Sequence, residues 1–337
     1  MADLKTKFMG FEIKNPIVVG ACNLSQDPET LLHLENAGAA AIVYKSLFEE
    51  QINLEKIQME EDIHEFDERN AEMIDIFPKL KHAGPKEHLL ALEKAKKALQ
   101  IPLIASLNAV NKDVWIEYAE LIEKTGVDGI ELNFYSLPKD PDISELSIID
   151  EQLEIVQELK KRIKIPVSVK LSPNYTNPLH VIHKLDKIGV EGFVLFNRLL
   201  QPDIDVEKEL HTLTFALSNE GDYRESLRFA GLLHNKTNGN IASNTGIHTG
   251  EDVIKLLLAG SDSVQIVSAI YRHKPQHISN MLGEIEEWMK SHSYNSINDF
   301  KGKLSKDGSK DPFAYARAQY VNILLKPEAI MKRYPTI

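Results

Sequence analysis

Polar residues recur at the ends of apolar runs in this chain, and their types set the chemistry to expect. Lys45 follows the run 40–44, Asn108 follows 103–107, Asn133 follows 129–132, Lys170 lies inside VSVKL, and Asn197 follows 192–196. Two turns complete the set, at Gly246 and at Ser268, both within GNIASNTGIHTGEDVIKLLLAGSDSVQIVSAIYRH at 239–273. Two lysines and three asparagines brought together above an apolar floor make a polar site with excess positive charge. Such a site suits an anionic or strongly hydrogen-bonding ligand. A lysine inside an apolar strand carries a large desolvation cost unless it is partnered, so an anionic group is expected beside Lys170. Free backbone N–H groups around Gly246 and Ser268 can hold a dianionic phosphate.

Positioning these residues requires elements that gather strand ends on one side. Within 239–273 the pattern predicts a buried strand at 240–243, a turn at 244–249, a helix at 251–259 and a second buried strand at 263–266. Two strands joined by a helix make a parallel pair. The same alternation runs through the chain, with strands predicted at 17–20, 40–44, 103–107, 129–132, 167–171 and 192–196. Helices are predicted at 28–37, 86–99, 113–124, 148–163, 178–188, 225–236 and 277–291. Eight strands, each followed by a helix, predict an α/β fold of the (β/α)8 TIM-barrel type. In that fold active residues sit at the C-terminal strand ends and phosphates bind after strands seven and eight. An N-terminal β-hairpin, 5–8 with 11–13 hinged on Gly10, is expected to plug the opposite end. Inserted loops follow strand two (47–85), strand four (134–145) and strand six (198–223). Residues 1–337 are expected to form a single domain, with the tail packed against the barrel.

Composition narrows the function further. Lys+Arg 39 against Asp+Glu 50 gives a net charge of −11, which repels polyphosphate backbones and argues against nucleic-acid binding. No apolar run approaches the ~20 residues of a membrane helix and the N-terminus lacks a signal peptide's apolar core, so a cytoplasmic protein is expected. Cys22 is the single cysteine, which excludes an intrachain disulfide and a multi-cysteine metal or iron–sulfur site within the chain. It reads as a small buried residue beside the site. The twelve histidines form no HExxH or HxH pair, so no metal is expected; His64, His82, His88 and His248 read as surface or loop residues. The acidic stretch 47–68 reads as a solvated face.

The residues resemble those of the flavin-dependent dihydroorotate dehydrogenase family. The resemblance is carried by Asn15-Pro16, Lys45-Ser46, IELNFYSLP at 130–138, VSVKLSP at 167–173, Asn197, and NTGI with VQIVSA in the phosphate region. It covers the whole barrel in order. It implies an FMN-dependent oxidoreductase acting on a CH–CH donor, oxidising dihydroorotate to orotate in pyrimidine biosynthesis by hydride transfer to flavin N5. It implies cofactor contacts from Gly20, Ala21, Lys45, Ser46, Asn108, Asn133, Lys170, Gly246, Val267 and Ser268, with Lys170 beside the flavin N1–C2=O edge. Substrate contacts would come from Lys45, Asn133 and Asn197. Ser136 falls on the acid/base position, and since a serine hydroxyl is a poor base, assisted proton transfer is expected. A homodimer is implied by the resemblance alone.

Three departures from the family pattern accompany these matches. The substrate loop after strand two is absent from 50–85, Pro138 stands where the family has a second substrate asparagine, and Thr245 and Val267 replace phosphate-loop glycines. Alternatives therefore stay open. The chain is expected to be an FMN oxidoreductase on dihydroorotate or on another cyclic amide or dihydropyrimidine. A flavin-free barrel enzyme binding a phosphorylated metabolite, or a barrel without catalysis serving a redox complex, are the other readings. The electron acceptor, whether fumarate, NAD, quinone or a protein, is left open.

Overall fold

Strands that are apolar on both faces hold together only where both faces are covered, and this chain covers them by closing its sheet on itself. The computed structural model describes residues 2–52, 85–134, 140–198, 202–212, 217–311 and 314–316, with the single residues 321, 325, 328 and 332. Its barrel strands are β3 (Ile17–Val19), β4 (Ala41–Val43), β6 (Leu103–Asn108), β7 (Gly129–Asn133), β8 (Val167–Leu171), β9 (Gly192–Leu195), β12 (Asn240–Asn244) and β13 (Ser263–Ile266). Each pairs in parallel with its neighbours, and β4 pairs with both β3 and β6. That double pairing closes an eight-stranded ring, the expected (β/α)8 barrel. A two-residue strand, β5 (Leu47–Phe48), adds to the C-terminal end of β6.

Strand alternation divides the side chains into two cores. Ile130, Leu132, Val167, Val169 and Leu171 face outward into the layer between sheet and helices. Val18, Ala41, Val43, Ile104, Val194 and Ala242 face the barrel axis, where they meet Phe8, Met9 and Ile13. Those last residues belong to the N-terminal hairpin, β1 (Thr6–Phe8) paired with β2 (Phe11–Ile13). Its turn places Met9 at φ +50° and Gly10 at φ +80°, the left-handed pair of a tight hairpin. A Cβ on Gly129 would lie 2.8 Å from Met9 Cε, and one on Gly192 would lie 2.9 Å from Met9 Cγ. The plug expected from the sequence is therefore present, and two strand glycines make room for it.

Helices α1 (Pro28–Asn36), α2 (Pro85–Ala98), α3 (Lys112–Glu123), α4 (Glu145–Arg162), α5 (Pro178–Ile188), α6 (Arg224–Leu233), α7 (Gly250–Ala259), α8 (Ser268–His273) and α9 (His277–Ser291) follow their strands. Asp27 caps α1 as its sequence position predicts, accepting from Thr30 N. Helix α4 begins three residues before the expected Ile148 because Ser144 caps it there. Helix α6 stops at Leu233 rather than Lys236. Thr249 and Asp252 cap α7 reciprocally, which fixes the turn leading into it.

The insertion after the second barrel strand opens with β5 and Glu49, and residues 53–84 lie outside the described residues. The insertion after β9 contains an unexpected antiparallel pair, β10 (Asp203–Asp205) and β11 (Leu210–Thr212). In the tail, the Tyr315 ring packs on Gly231 and its hydroxyl donates to Leu304 O at 2.7 Å. Among the described residues no helix is long and apolar enough to cross a membrane.

Candidate active site

The interior of the barrel is not wholly apolar, and its polar side chains rise toward one end. Asn133 and Lys170 are register partners on β7 and β8. One inward position below Asn133 lies Glu131, with no exposed surface. Lys170, 6% exposed, has its Nζ 3.9 Å from Glu131 Oε1, so the anionic group required by a buried lysine is supplied by the protein. Gln265 Nε2 donates to Glu131 Oε2 at 2.5 Å. Burial pushes the Glu131 carboxyl up, while the charge of Lys170 and the Gln265 hydrogen bond pull it down. Above them, Asn197 Nδ2 donates to Asn133 Oδ1 at 2.8 Å. Backbone Asn197 N donates to Leu171 O at 2.7 Å, and Ser226 Oγ donates to Leu195 O at 2.6 Å, which together fix the end of β9.

A cavity of about 160 Å³ opens at these strand ends. Of the residues singled out in the sequence, Ala21, Lys170, Asn197, Gly246, Val267 and Ser268 line it. Thr245 at φ +72° and Gly246 at φ +73° form its turn after β12. The first of these is a conformation that a glycine adopts without strain, whereas threonine does not. A Cβ on Gly246 would lie 2.6 Å from Asp222 Cβ and 2.7 Å from Tyr223 N, so no other residue fits that approach. Gly246 N donates to Ser218 Oγ at 3.1 Å, and Ser218 N donates to Ser268 Oγ at 3.0 Å. Arg272 Nη2 donates to Ser218 O at 3.0 Å and His248 Nε2 lies 3.0 Å from the same carbonyl. Backbone and hydroxyl donors with a guanidinium behind them form a cradle for an oxyanion.

His248 lies in the loop after β12, one of the two settings its sequence reading gave it. It is 4% exposed and buried against this cradle, not a surface residue, and its burial lowers the imidazole below its usual pKa. Gly20 follows β3 beside the cavity-lining Val267, where a Cβ would lie 2.9 Å from Val267 Cγ2. Cys22 is partly buried beside it, and burial pushes the thiol up.

The structure sets the remaining residues on the other side of the mouth. Ser46 Oγ and Ser106 Oγ share a hydrogen bond of 2.7 Å in a buried position. Asn108 is buried opposite Phe48. Glu49, 2% exposed, accepts from Val110 N at 2.5 Å and Asn111 N at 2.8 Å, tying the root of the insertion to the loop after β6. Lys45 is half-buried at the end of β4. Burial and the charge of Lys45 lower His88 to about 4, and its ring packs edge-on against Tyr44 at 5.4 Å. His88 is thus no ordinary surface histidine. Ser136 and Pro138 lie outside the described residues.

Sequence reasoning did not name Glu131, Gln265, Ser218, Arg272, Arg198 or Glu49. Glu131 and Gln265 carried the signal that identified Lys170, a polar side chain inside an apolar run. Ser218 sits in an irregular loop and carried none. Arg198, next to Asn197, lines both the cavity above and a neighbouring one of about 300 Å³.

The dihydroorotate dehydrogenase family model matches residues 74–289. The catalytic subunit of dihydroorotate dehydrogenase B (NAD(+)) from Thermoplasma acidophilum is 27% identical over 314 residues, 90% of this chain and 99% of that protein. Dihydroorotate dehydrogenase A (fumarate) from Limosilactobacillus reuteri is 24% identical over 311 residues, 88% of this chain and 96% of that protein. The chloroplastic dihydropyrimidine dehydrogenase (NADP(+)) of Arabidopsis thaliana is 24% identical over 219 residues, 59% of this chain and 51% of that protein.

Proposed function

The chain belongs to the dihydroorotate dehydrogenase family, and from that premise we propose that it is an FMN-dependent oxidoreductase that converts dihydroorotate to orotate. The observation that carries this reading is the pairing of an oxyanion cradle with a buried cation in one cavity. The donor set fits the cofactor. The Ser268 hydroxyl, and the Gly246 N–H once released from Ser218 Oγ, suit its phosphate, with Val267 beside them and Arg272 behind. Gly20 and Ala21 leave a flat approach for its ring, and Lys170 supplies positive charge. When bound, FMN supplies the acceptor for the two electrons leaving the substrate.

The chain's own residues supply the rest. Asn133 and Asn197, locked together, present amide groups to the polar edge of a pyrimidine ring. Lys45 attracts its carboxylate, joined by Arg198 at the cavity edge. Ser46 and Asn108 complete the wall next to Lys45. Ser136 holds the proton leaving the substrate carbon and passes it to a neighbour or water, since a hydroxyl alone is a weak base. The name "catalytic subunit" carried by relatives supports electrons leaving through a second protein.

A second reading keeps the cofactor and changes the substrate to a neutral dihydropyrimidine. Similarity to the plant dihydropyrimidine dehydrogenase and the missing substrate asparagines support it. Anaerobic titration of the FMN-loaded protein with L-dihydroorotate and, separately, with dihydrouracil separates the two. Bleaching of the flavin band by dihydroorotate alone is expected; bleaching by dihydrouracil alone selects the second reading, and bleaching by neither rejects both donors.

A further inference from the structure

Glu131 is the most deeply buried charged group at the site, and nothing in the proposed chemistry uses it. It faces Ser106 across one strand pairing and Ser168 across the other. Its Oε2 is held by Gln265, while Oε1 has no hydrogen-bond partner among the described residues. Gln265 Oε1 and Ser168 Oγ are likewise unpartnered and buried. Leaving such groups unpaired costs about 1–3 kcal/mol each, so a fold retains them only where something offsets that cost. The offset here is Lys170. At 3.9 Å its ammonium is too far from Oε1 for a hydrogen bond, yet close enough for strong attraction in a water-poor interior. Among the described residues Lys170 Nζ makes no hydrogen bond. Its N–H donors are therefore kept for a group in the cavity above.

We propose that Glu131, oriented by Gln265, is a positioning residue for Lys170: it fixes the ammonium at the barrel mouth and offsets part of its charge. The ion pair, rather than the lysine alone, then sets how strongly the site favours negative charge on bound flavin. The flavin half of this inference rests on the FMN reading above. The two groups are coupled, and removal of either changes what the other presents. Without Lys170 the carboxyl is left buried and takes up a proton. Without Glu131 the ammonium faces the cavity uncompensated.

Two measurements test this. In the FMN-loaded protein, Glu131→Gln keeps the side-chain shape and the Gln265 contact while removing the charge. It should move the reduction equilibrium about tenfold toward reduced flavin, about 30 mV for a two-electron couple. In a Lys170→Met background the same substitution should produce no shift. An unchanged potential, a downward shift, or an equal shift in both backgrounds overturns the proposal, and a purely structural role would not produce a lysine-dependent shift. The cofactor-free protein gives the second measurement. By infrared spectroscopy at neutral pH, Lys170→Met should gain a carboxylic-acid carbonyl band that the wild type and the Glu131→Gln/Lys170→Met double variant lack. Identical spectra in all three overturn the ion pair. A wild type that binds no FMN removes the cofactor reading and the flavin half with it, and the infrared result then decides the pair independently.

Discussion

The two sides of the barrel mouth are built differently. From β7 to β13, the strand ends are cross-linked by hydrogen bonds between residues far apart in sequence, such as Ser218 with Gly246 and Ser268. A glycine that admits no Cβ and a buried ion pair lie within the same wall. From β4 to β6, Lys45 is half-buried, and its neighbours are tied to the root of a long insertion by Glu49. The first side is shaped to hold one rigid ligand in one place. The second joins the root of the insertion to the barrel, and under the proposed function cofactor holding falls to the first and substrate choice to the second.

The sharpest break of this comparison is Lys170→Ala. It strands Glu131 without its cation, so a loss of about 3–5 kcal/mol in denaturant unfolding is expected together with weaker flavin binding and a lower flavin reduction potential. Unchanged spectra would remove Lys170 from the cofactor side. Ser136→Ala tests the proposed proton acceptor: flavin affinity should hold while the rate of flavin reduction by substrate falls about 10²–10⁴-fold. An unaltered rate moves the proton acceptor elsewhere.

On the substrate side, His88 links stability to pH. Its folded-state pKa, about 4, lies below the ordinary value of 6.5, so the folded protein prefers the neutral ring. That stability is fully present above about pH 6.5 and is lost as pH falls toward 4, by at most about 3 kcal/mol. Urea unfolding across this range should show the loss in the wild type and a smaller one in His88→Phe; equal losses contradict the assignment. The smallest effect is expected for Ser46→Ala, about 1–3 kcal/mol from the unpaired Ser106 hydroxyl, read in the same unfolding assay.

The barrel was legible because most of its strands are largely apolar and end at a polar residue, and because apolar periodicity survives in the helices. Lys170 shows its need for an anion through desolvation alone, and Glu131, two positions before Asn133, carries the same signal of a charge inside an apolar run. The start of α4 was displaced because a serine cap outweighs the first apolar residue of the helix. Strands β10 and β11 were missed because their side chains are largely exposed and carry no hydrophobic alternation. Ser218 was invisible for a different reason. Its contacts span 28 and 50 positions, and no local pattern encodes a loop folded back onto two distant turns.

The division of labour across the mouth is tested most directly by FMN affinity, measured by fluorescence quenching in the wild type, Ser268→Ala and Lys45→Ala. Ser268→Ala should weaken FMN binding about 10–100-fold, the loss of a hydrogen bond to a charged phosphate, while Lys45→Ala should change it much less and instead raise the dihydroorotate concentration needed for reduction. A wild type without FMN affinity, or a greater loss at Lys45 than at Ser268, would contradict the account.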